Sequence, residues 1–145
     1  MKLQEVIVQH GSPEYDLVVG LRYNILRKPL GMQFTTEQLA AESKNHHLAL
    51  FHGETPVACL MLLPVTENRS MQMKQVAVDD TLQGQGIGAR LIAFAERFAR
   101  AHGAHTMFCH ARQNAVPFYL RQGYVIDKEP FEEIGIPHRY MEKKI

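Results

Sequence analysis

The sequence has no apolar run near the roughly 18 residues of a membrane span. A membrane partner is therefore not expected. It shows no signal-peptide pattern either, because Met1-Lys2 leads into the mixed segment LQEVIVQH. The cytoplasm is the expected compartment. Charge of one sign is also missing: Lys and Arg number 16, Asp and Glu 15, and the net charge is +1. That balance makes no case for nucleic acid or an anionic surface as the main partner. Cysteine is scarce. Cys59 and Cys109 each sit in an apolar run without a CxxC pair, so they read as buried free thiols. The histidines lack HExxH or Cys/His zinc spacing, and no metal is expected. No internal repeat, linker or low-complexity tract appears. The 145 residues amount to about one domain, expected over 1–145.

What is present is an alternation of short strands and helices. Leu3–Gln9 is β-branched and reads as a strand. Ser12-Pro13 opens a helix with an apolar stripe, predicted to run to Arg27-Lys28 before Pro29 and Gly31. Thr35 or Thr36 caps a shorter helix to about Ser43. His47–His52 and Val57–Leu63 predict a hairpin, and Met71–Val78 another strand, in which Met71, Met73, Gln75 and Ala77 alternate imperfectly with their neighbours. A helix is predicted over Gly86–His102, with Gly103 as its C′ residue. His105–Arg112 follows as a strand, then a helix capped by Asn114 through Gln122. Strands at Tyr124–Lys128 and His138–Lys143 close the chain. Mixed strands and helices in one small core predict an α/β (α+β mixed) domain, a central sheet covered by helices.

The informative segment is Val76–Leu91, VAVDDTLQGQGIGARL: a strand, a glycine-rich loop and a helix. Such a loop offers consecutive backbone N–H groups at a helix N-terminus, where the dipole favours an anion. The first four N–H groups of a helix lack partners within it. Each hydrogen bond to a charged oxygen contributes about 1.5–3 kcal/mol, so a few would anchor a diphosphate. Gly84, Gly86 and Ala89 also satisfy the GxGxxG/A dinucleotide pattern. That pattern expects an acidic residue about 20 positions on, where this chain has HTMFCHAR, and an NADP reading would have to lean on Arg112 although the mixed strand order is not a doubly wound unit. A nicotinamide site and a ligand-free turn are the rival readings.

Gln83-Gly84-Gln85-Gly86-Ile87-Gly88 matches the Q/R-x-x-G-x-G/A signature of the GNAT family of N-acetyltransferases, which this chain resembles over nearly its whole length. Asn114-Ala115-Val116-Pro117-Phe118-Tyr119, continuing to Gly123-Tyr124, looks like the family's second motif. RKPLG (Arg27–Gly31) and Gly135-Ile136-Pro137-His138 resemble a small bacterial branch typified by ElaA and YjcF. The resemblance implies an acyl-CoA N-acyltransferase fold, a mostly antiparallel sheet with two splayed strands. It implies acetyl-CoA as cosubstrate, held by backbone N–H groups of Gln83, Gly84, Gln85, Gly86, Ile87, Gly88 and Ala89. Strand residues Val76, Ala77 and Val78 would pair with the pantetheine arm. Asn114 would hydrogen-bond that arm, with Phe118 packing nearby. Tyr119 would stand near the sulfur, where a phenol, protonated at neutral pH, can donate to a leaving thiolate.

The partner is then an amine, a small molecule or a peptide or protein group. A lysine-like amine is neutral in only about one molecule in 2,500 at pH 7, so a base or desolvation must assist. Family members often carry a glutamate on the strand before the loop; this chain has Lys74 and Gln75 there. Glu132, Glu133 and His138 are the candidate bases, since histidine changes charge near neutrality. Their plainer readings are exposed loop carboxylates and a strand entry. Arg22, Arg27 and Lys28 read as a solvated basic face, or as groups facing an acidic acceptor. The expected function is acetyl transfer by direct attack. A domain that binds coenzyme A or acyl-CoA as a sensor is the alternative. The chain is read as a monomer or homodimer.

Overall fold

The computed structural model describes residues 1–145, built around one seven-stranded sheet. Strands β1 (Gln4–Val8), β2 (His46–His52), β3 (Thr55–Leu62), β4 (Ser70–Val78), β5 (Thr106–Arg112), β6 (Val125–Glu133) and β7 (Ile136–Lys144) lie in the order β1-β2-β3-β4-β5-β7-β6. Every neighbouring pair is antiparallel except β4 and β5. Helices α1 (Pro13–Arg22) and α2 (Thr36–Ala40) precede β2, α3 (Ile87–Ala101) links β4 to β5, and α4 (Val116–Arg121) follows β5. The helix-covered sheet predicted from the pattern of elements, and the mostly antiparallel pairing that the resemblance implies, are both observed.

Each face of the sheet carries its own core. On one, Ile87, Leu91, Ile92, Phe94, Ala95 and Ala99 of α3 pack with Leu60, Leu62, Met71, Met73, Met107 and Cys109. Their helical spacing turns these α3 residues toward the sheet. Each large side chain among them contributes about 1.5–3 kcal/mol by leaving water. On the other face, Tyr15 and Val18 of α1 pack with Ala49, Phe51, Cys59 and Ala77. The continuous apolar run of β3 thus supplies both layers. Both thiols are buried and free, and burial pushes each up to about 12. Neither is a thiolate at neutral pH, so neither is a nucleophile.

Several expected boundaries shift. The first helix ends its α-turns at Arg22 and continues as a wider π turn over Tyr23–Arg27 and a 3-10 turn over Lys28–Leu30. Arg22 is not part of a solvated face: it is 1% exposed and clamps Glu42 with two hydrogen bonds of 2.7 and 2.6 Å. Tyr15, Val18 and Arg22 share one buried stripe of α1, and the turn after α2 delivers the counter-charge. Asn114 does not cap α4. It lies in a 3-10 turn (Gln113–Ala115), and α4 begins at Val116 with Pro117 in its first turn and no side-chain cap. Glu132 and Glu133 are not loop residues. The last hairpin is longer than expected, and β6 carries both to its end, where Ile134 (φ 47°) and Gly135 (φ 71°) make the turn. Positive φ at both central residues marks a type I′ connection.

The parallel pair β4–β5 decides where a site can form. Its register runs from Ser70↔Thr106 to Met73↔Cys109 and stops. From Lys74 and His110 onward the strands have no ladder between them. On the other side of β4, Ala77 faces Cys59 but Lys74 faces Met61, leaving two residues opposite one. This is a β-bulge, and Gln75 adopts φ 56° within it. The bulge resets the alternation: Met71 and Met73 face α3, yet beyond it Val76 and Val78 do, while Ala77 faces α1. That is why the alternation of this strand reads imperfectly in sequence.

Candidate functional site

The splay opens a cleft of about 760 Å³ between β4, β5, the glycine turn and α4. Local chemistry builds the turn. The Asp79 carboxylate accepts from the Thr81 backbone N–H at 2.9 Å and from its hydroxyl at 2.7 Å, holding a 3-10 turn over Asp80–Leu82. The Gln83 side-chain amide donates back to the Val78 carbonyl at 3.2 Å. Gly84 (φ 84°) and Gly86 (φ 79°) lie in the left-handed region, and a Cβ added at either would meet nothing within 4 Å. The backbone there faces open space. Gly86 caps α3 without a side-chain hydrogen bond, so no side chain serves the orphan N–H groups of the first turn. An open, uncapped turn of this kind fits a diphosphate.

Gly88 is needed for a different reason. A Cβ there would come within 2.9 Å of Phe118 Cε1 and 3.7 Å of Val78 Cγ2. The absent side chain is what lets α4 close against α3. Gly88→Ala is expected to destabilise by about 1–3 kcal/mol through overpacking. Gly20→Ala, where an added Cβ meets nothing, serves as the control. Thermal melts of the two variants check this; equal melting temperatures would refute it.

Tyr119 lies on α4, 5% exposed, and lines the cleft. Its ring is wedged edge-on between Phe118 (5.0 Å) and Tyr124 (5.8 Å). Tyr124 is anchored in turn, its hydroxyl donating to Glu96 of α3 at 2.8 Å. The Tyr119 hydroxyl has no hydrogen-bond partner in the protein. Burial, with a smaller contribution from Cys109, pushes it above its ordinary range, so it stays protonated at neutral pH.

On the other wall, the last hairpin brings Glu133 and His138 together. His138 is 4% exposed, and its Nδ1–H donates to the Ile136 carbonyl at 2.7 Å. A carbonyl only accepts, so Nδ1 carries the proton and Nε2 keeps a lone pair in the neutral ring. Nε2 lies 3.9 Å from Glu133 Oε2, and the other Glu133 oxygen accepts from His110 Nδ1 at 2.6 Å. Gln75 also lines the cleft, and its buried Oε1 has no hydrogen-bond partner.

Most residues singled out in the sequence meet here. Val76, Val78, Gln83, Gly84, Ile87, Gly88, Asn114, Phe118, Tyr119, Glu133 and His138 line the cleft. Gln85, Gly86, Ala89 and Glu132 do not. Ala77 turns its side chain into the α1-side core, leaving only its backbone for a ligand. Sequence reading missed His110 and the Gln75 bulge as cleft residues, and considered Arg112 only for a nicotinamide cofactor. The signal for His110 and Arg112 was available: on β5, apolar Met107, Cys109 and Ala111 alternate with Phe108, His110 and Arg112, marking a second, more polar face.

Comparison with known proteins agrees with this geometry. The family model for the acetyltransferase (GNAT) domain matches residues 25–145. YjcF, an uncharacterized N-acetyltransferase of Bacillus subtilis, is 28% identical over 103 residues, which cover 70% of this chain and 72% of YjcF. Among solved structures, Escherichia coli ElaA aligns over 99% of both chains with a TM-score of 0.79 and 19% identity. A GNAT family acetyltransferase from Elizabethkingia anophelis with acetyl-CoA bound aligns over 99% of this chain and 98% of its own, with a TM-score of 0.74 and 17% identity. Identities this low carry the fold and not a narrower branch. Glycine turn, splayed strands and family model together establish that the chain belongs to the GNAT acetyltransferase family.

Proposed function

We propose that this protein transfers an acetyl group from acetyl-CoA to a primary amine by direct attack, and that it stands near ElaA and YjcF within its family. The observation that carries the reading is the end of the β4–β5 ladder at Met73↔Cys109. It leaves a strand edge, an open anion-binding turn and a lone phenol around one cleft. Acetyl-CoA supplies the acetyl group as a thioester. Backbone N–H groups between Gln83 and Ala89 hold its diphosphate. The unpaired edge of Val76–Val78 accepts the amide-rich arm as an added strand, and Asn114 reaches the same arm. Tyr119 Oη gives a proton to the departing thiolate. His138 Nε2 has the free lone pair that takes the proton of the attacking amine, and Glu133 supports the imidazolium so formed. This assignment puts the base on the last hairpin instead of on β4.

A second reading is favoured by one feature. Gln75 at the β4 bulge is a neutral amide, where a carboxylate base is common in the family. The domain would then bind coenzyme A or an acyl-CoA and catalyse little. Thiol release from acetyl-CoA over a panel of amines, beside a coenzyme A titration, separates the two. Acceptor-dependent thiol release is the expected result. Saturable binding with no release from any amine would favour the sensor. A melting temperature raised by NAD(P) and not by coenzyme A would overturn both.

A further inference from the structure

The acetyl-transfer reading leaves one wall of the cleft unassigned. Strand alternation defines it. On β5, Met107, Cys109 and Ala111 belong to the α3-side core, so His110 and Arg112 point to the opposite face, toward α1. Antiparallel register carries that face onto β7, where Arg112 stands opposite His138. On β4, Lys74 follows the core residue Met73 and lies on the same face as His110. Arg27 arrives from the turn after α1. Arg112 Nη2 donates to the Leu26 carbonyl at 3.3 Å, which seats its guanidinium against that turn.

Charge on this wall is unbalanced. Arg27, Lys74 and Arg112 all line the cleft, and none of them pairs with a carboxylate. Glu133, the one carboxylate lining the cleft, already serves His110 and His138. Arg27 lies over the Phe34 ring at 4.6 Å and touches no anion. Burial, and then the Arg27 charge, pull the Arg112 guanidinium below its ordinary value. This is a half-buried cation held beside another without a counter-charge, a costly arrangement unless an anion completes it. The coenzyme diphosphate is poorly placed to do so, because the start of α3 lies on the other face of the sheet.

We propose that the amine acceptor also carries a carboxylate, which Arg112 binds with Arg27 beside it, while the amine end faces Glu133 and His138. A guanidinium matches a carboxylate with parallel hydrogen bonds that an ammonium cannot reproduce. The fate of the amine rests on the acetyl-transfer reading; the anion site does not.

Matched amines test it: glycine, β-alanine and 4-aminobutyrate, each against its primary amide, with phosphoethanolamine against ethanolamine as the phosphate arm. The acids are expected to exceed their amides in kcat/KM by about tenfold or more. Arg112→Gln should remove most of that preference, a loss of about tenfold or more, mostly through KM, as expected for hydrogen bonds to a charged group. Arg112→Lys should retain part of it. Arg27→Gln, in the turn after α1 and outside the sheet, should weaken it too, and takes the place of Arg112→Gln where that variant folds poorly. Equal use of acids and amides, a preference unchanged in Arg112→Gln, or a preference confined to phosphoethanolamine would overturn the inference. If no amine is acetylated, the acetyl-transfer reading fails by itself. Calorimetric titration of the same acids into the coenzyme A complex then decides the anion site: binding lost in Arg112→Gln supports it, and no binding overturns it.

Discussion

Tyr119→Phe is expected to lower kcat by about 100-fold at neutral pH, the lower end of what a positioned general acid contributes. Coenzyme A affinity should change by less than about twofold, because the turn proposed to hold the diphosphate lies outside α4. The split follows from packing. Phe fills the same wedge between Phe118 and Tyr124, and the lost hydroxyl has no partner in the protein to leave unsatisfied. Burial raises the phenol above its ordinary range, so the proton is present throughout the working pH range and the alkaline limb of the rate should not come from Tyr119. Single-turnover thiol release beside a coenzyme A titration reads both quantities. A rate within about threefold of wild type with a competent acceptor would remove Tyr119 from the chemistry and leave it as core.

The second large effect lies behind the sheet. Glu42 is 7% exposed and accepts hydrogen bonds from both terminal nitrogens of Arg22 and from the Tyr15 hydroxyl at 2.8 Å. Burial by itself would push its carboxyl up; the Arg22 and Tyr15 hydrogen bonds outweigh this and hold it below the ordinary value of 4.5. Glu42→Gln leaves a buried guanidinium without its counter-charge, a loss of about 3–5 kcal/mol. That corresponds to a melting temperature lower by about 10 °C or more for a chain of this size. The pH dependence has a defined sign. A depressed carboxyl stabilises the fold above its unfolded value and loses that contribution as pH falls below about 4.5 through the folded one. His47, whose Nε2 meets the Glu42 carbonyl at 3.0 Å, is lowered by burial from 6.5. It adds an acid-side loss that begins nearer that pH. Glu42→Gln should remove only the lower limb from a plot of melting temperature against pH. Replacing Arg22 and Glu42 together by Met and Leu should recover much of the stability; no recovery would mean that the pair itself, and not desolvation of an unpaired charge, sets the cost.

Tyr119 entered through the segment that resembles the family's second motif, and local signals, a closing glycine above all, put it on a short helix. The glycine turn was legible from local signals too. Left-handed Gly84 and Gly86, followed by a helix with a strong apolar stripe, specify that geometry over a dozen consecutive residues. Backbone sterics and helix dipoles act within a turn or two, so composition at fixed spacing reports them. The Arg22–Glu42 clamp lies 20 residues apart in sequence, and a basic residue on a helix looks solvated until its partner is known.

The acceptor wall shows the same limit. Glu133 and His138 were named from residue type, but their meeting depends on an extended hairpin whose register links Phe131 to His138. His110, Arg112 and Arg27 join them only because β5 and β7 pair and because α1 continues as a wide turn toward the sheet. The sequence by itself determined the order of strands and helices and the open glycine turn, but not the ends of α1, α4 and β6. Tertiary structure alone decided where β4 and β5 part, which face each later β4 residue takes after the Gln75 bulge, and which charges stay unpaired. Pairing between distant segments is settled by packing and electrostatics in three dimensions, and these leave no fixed spacing along the chain.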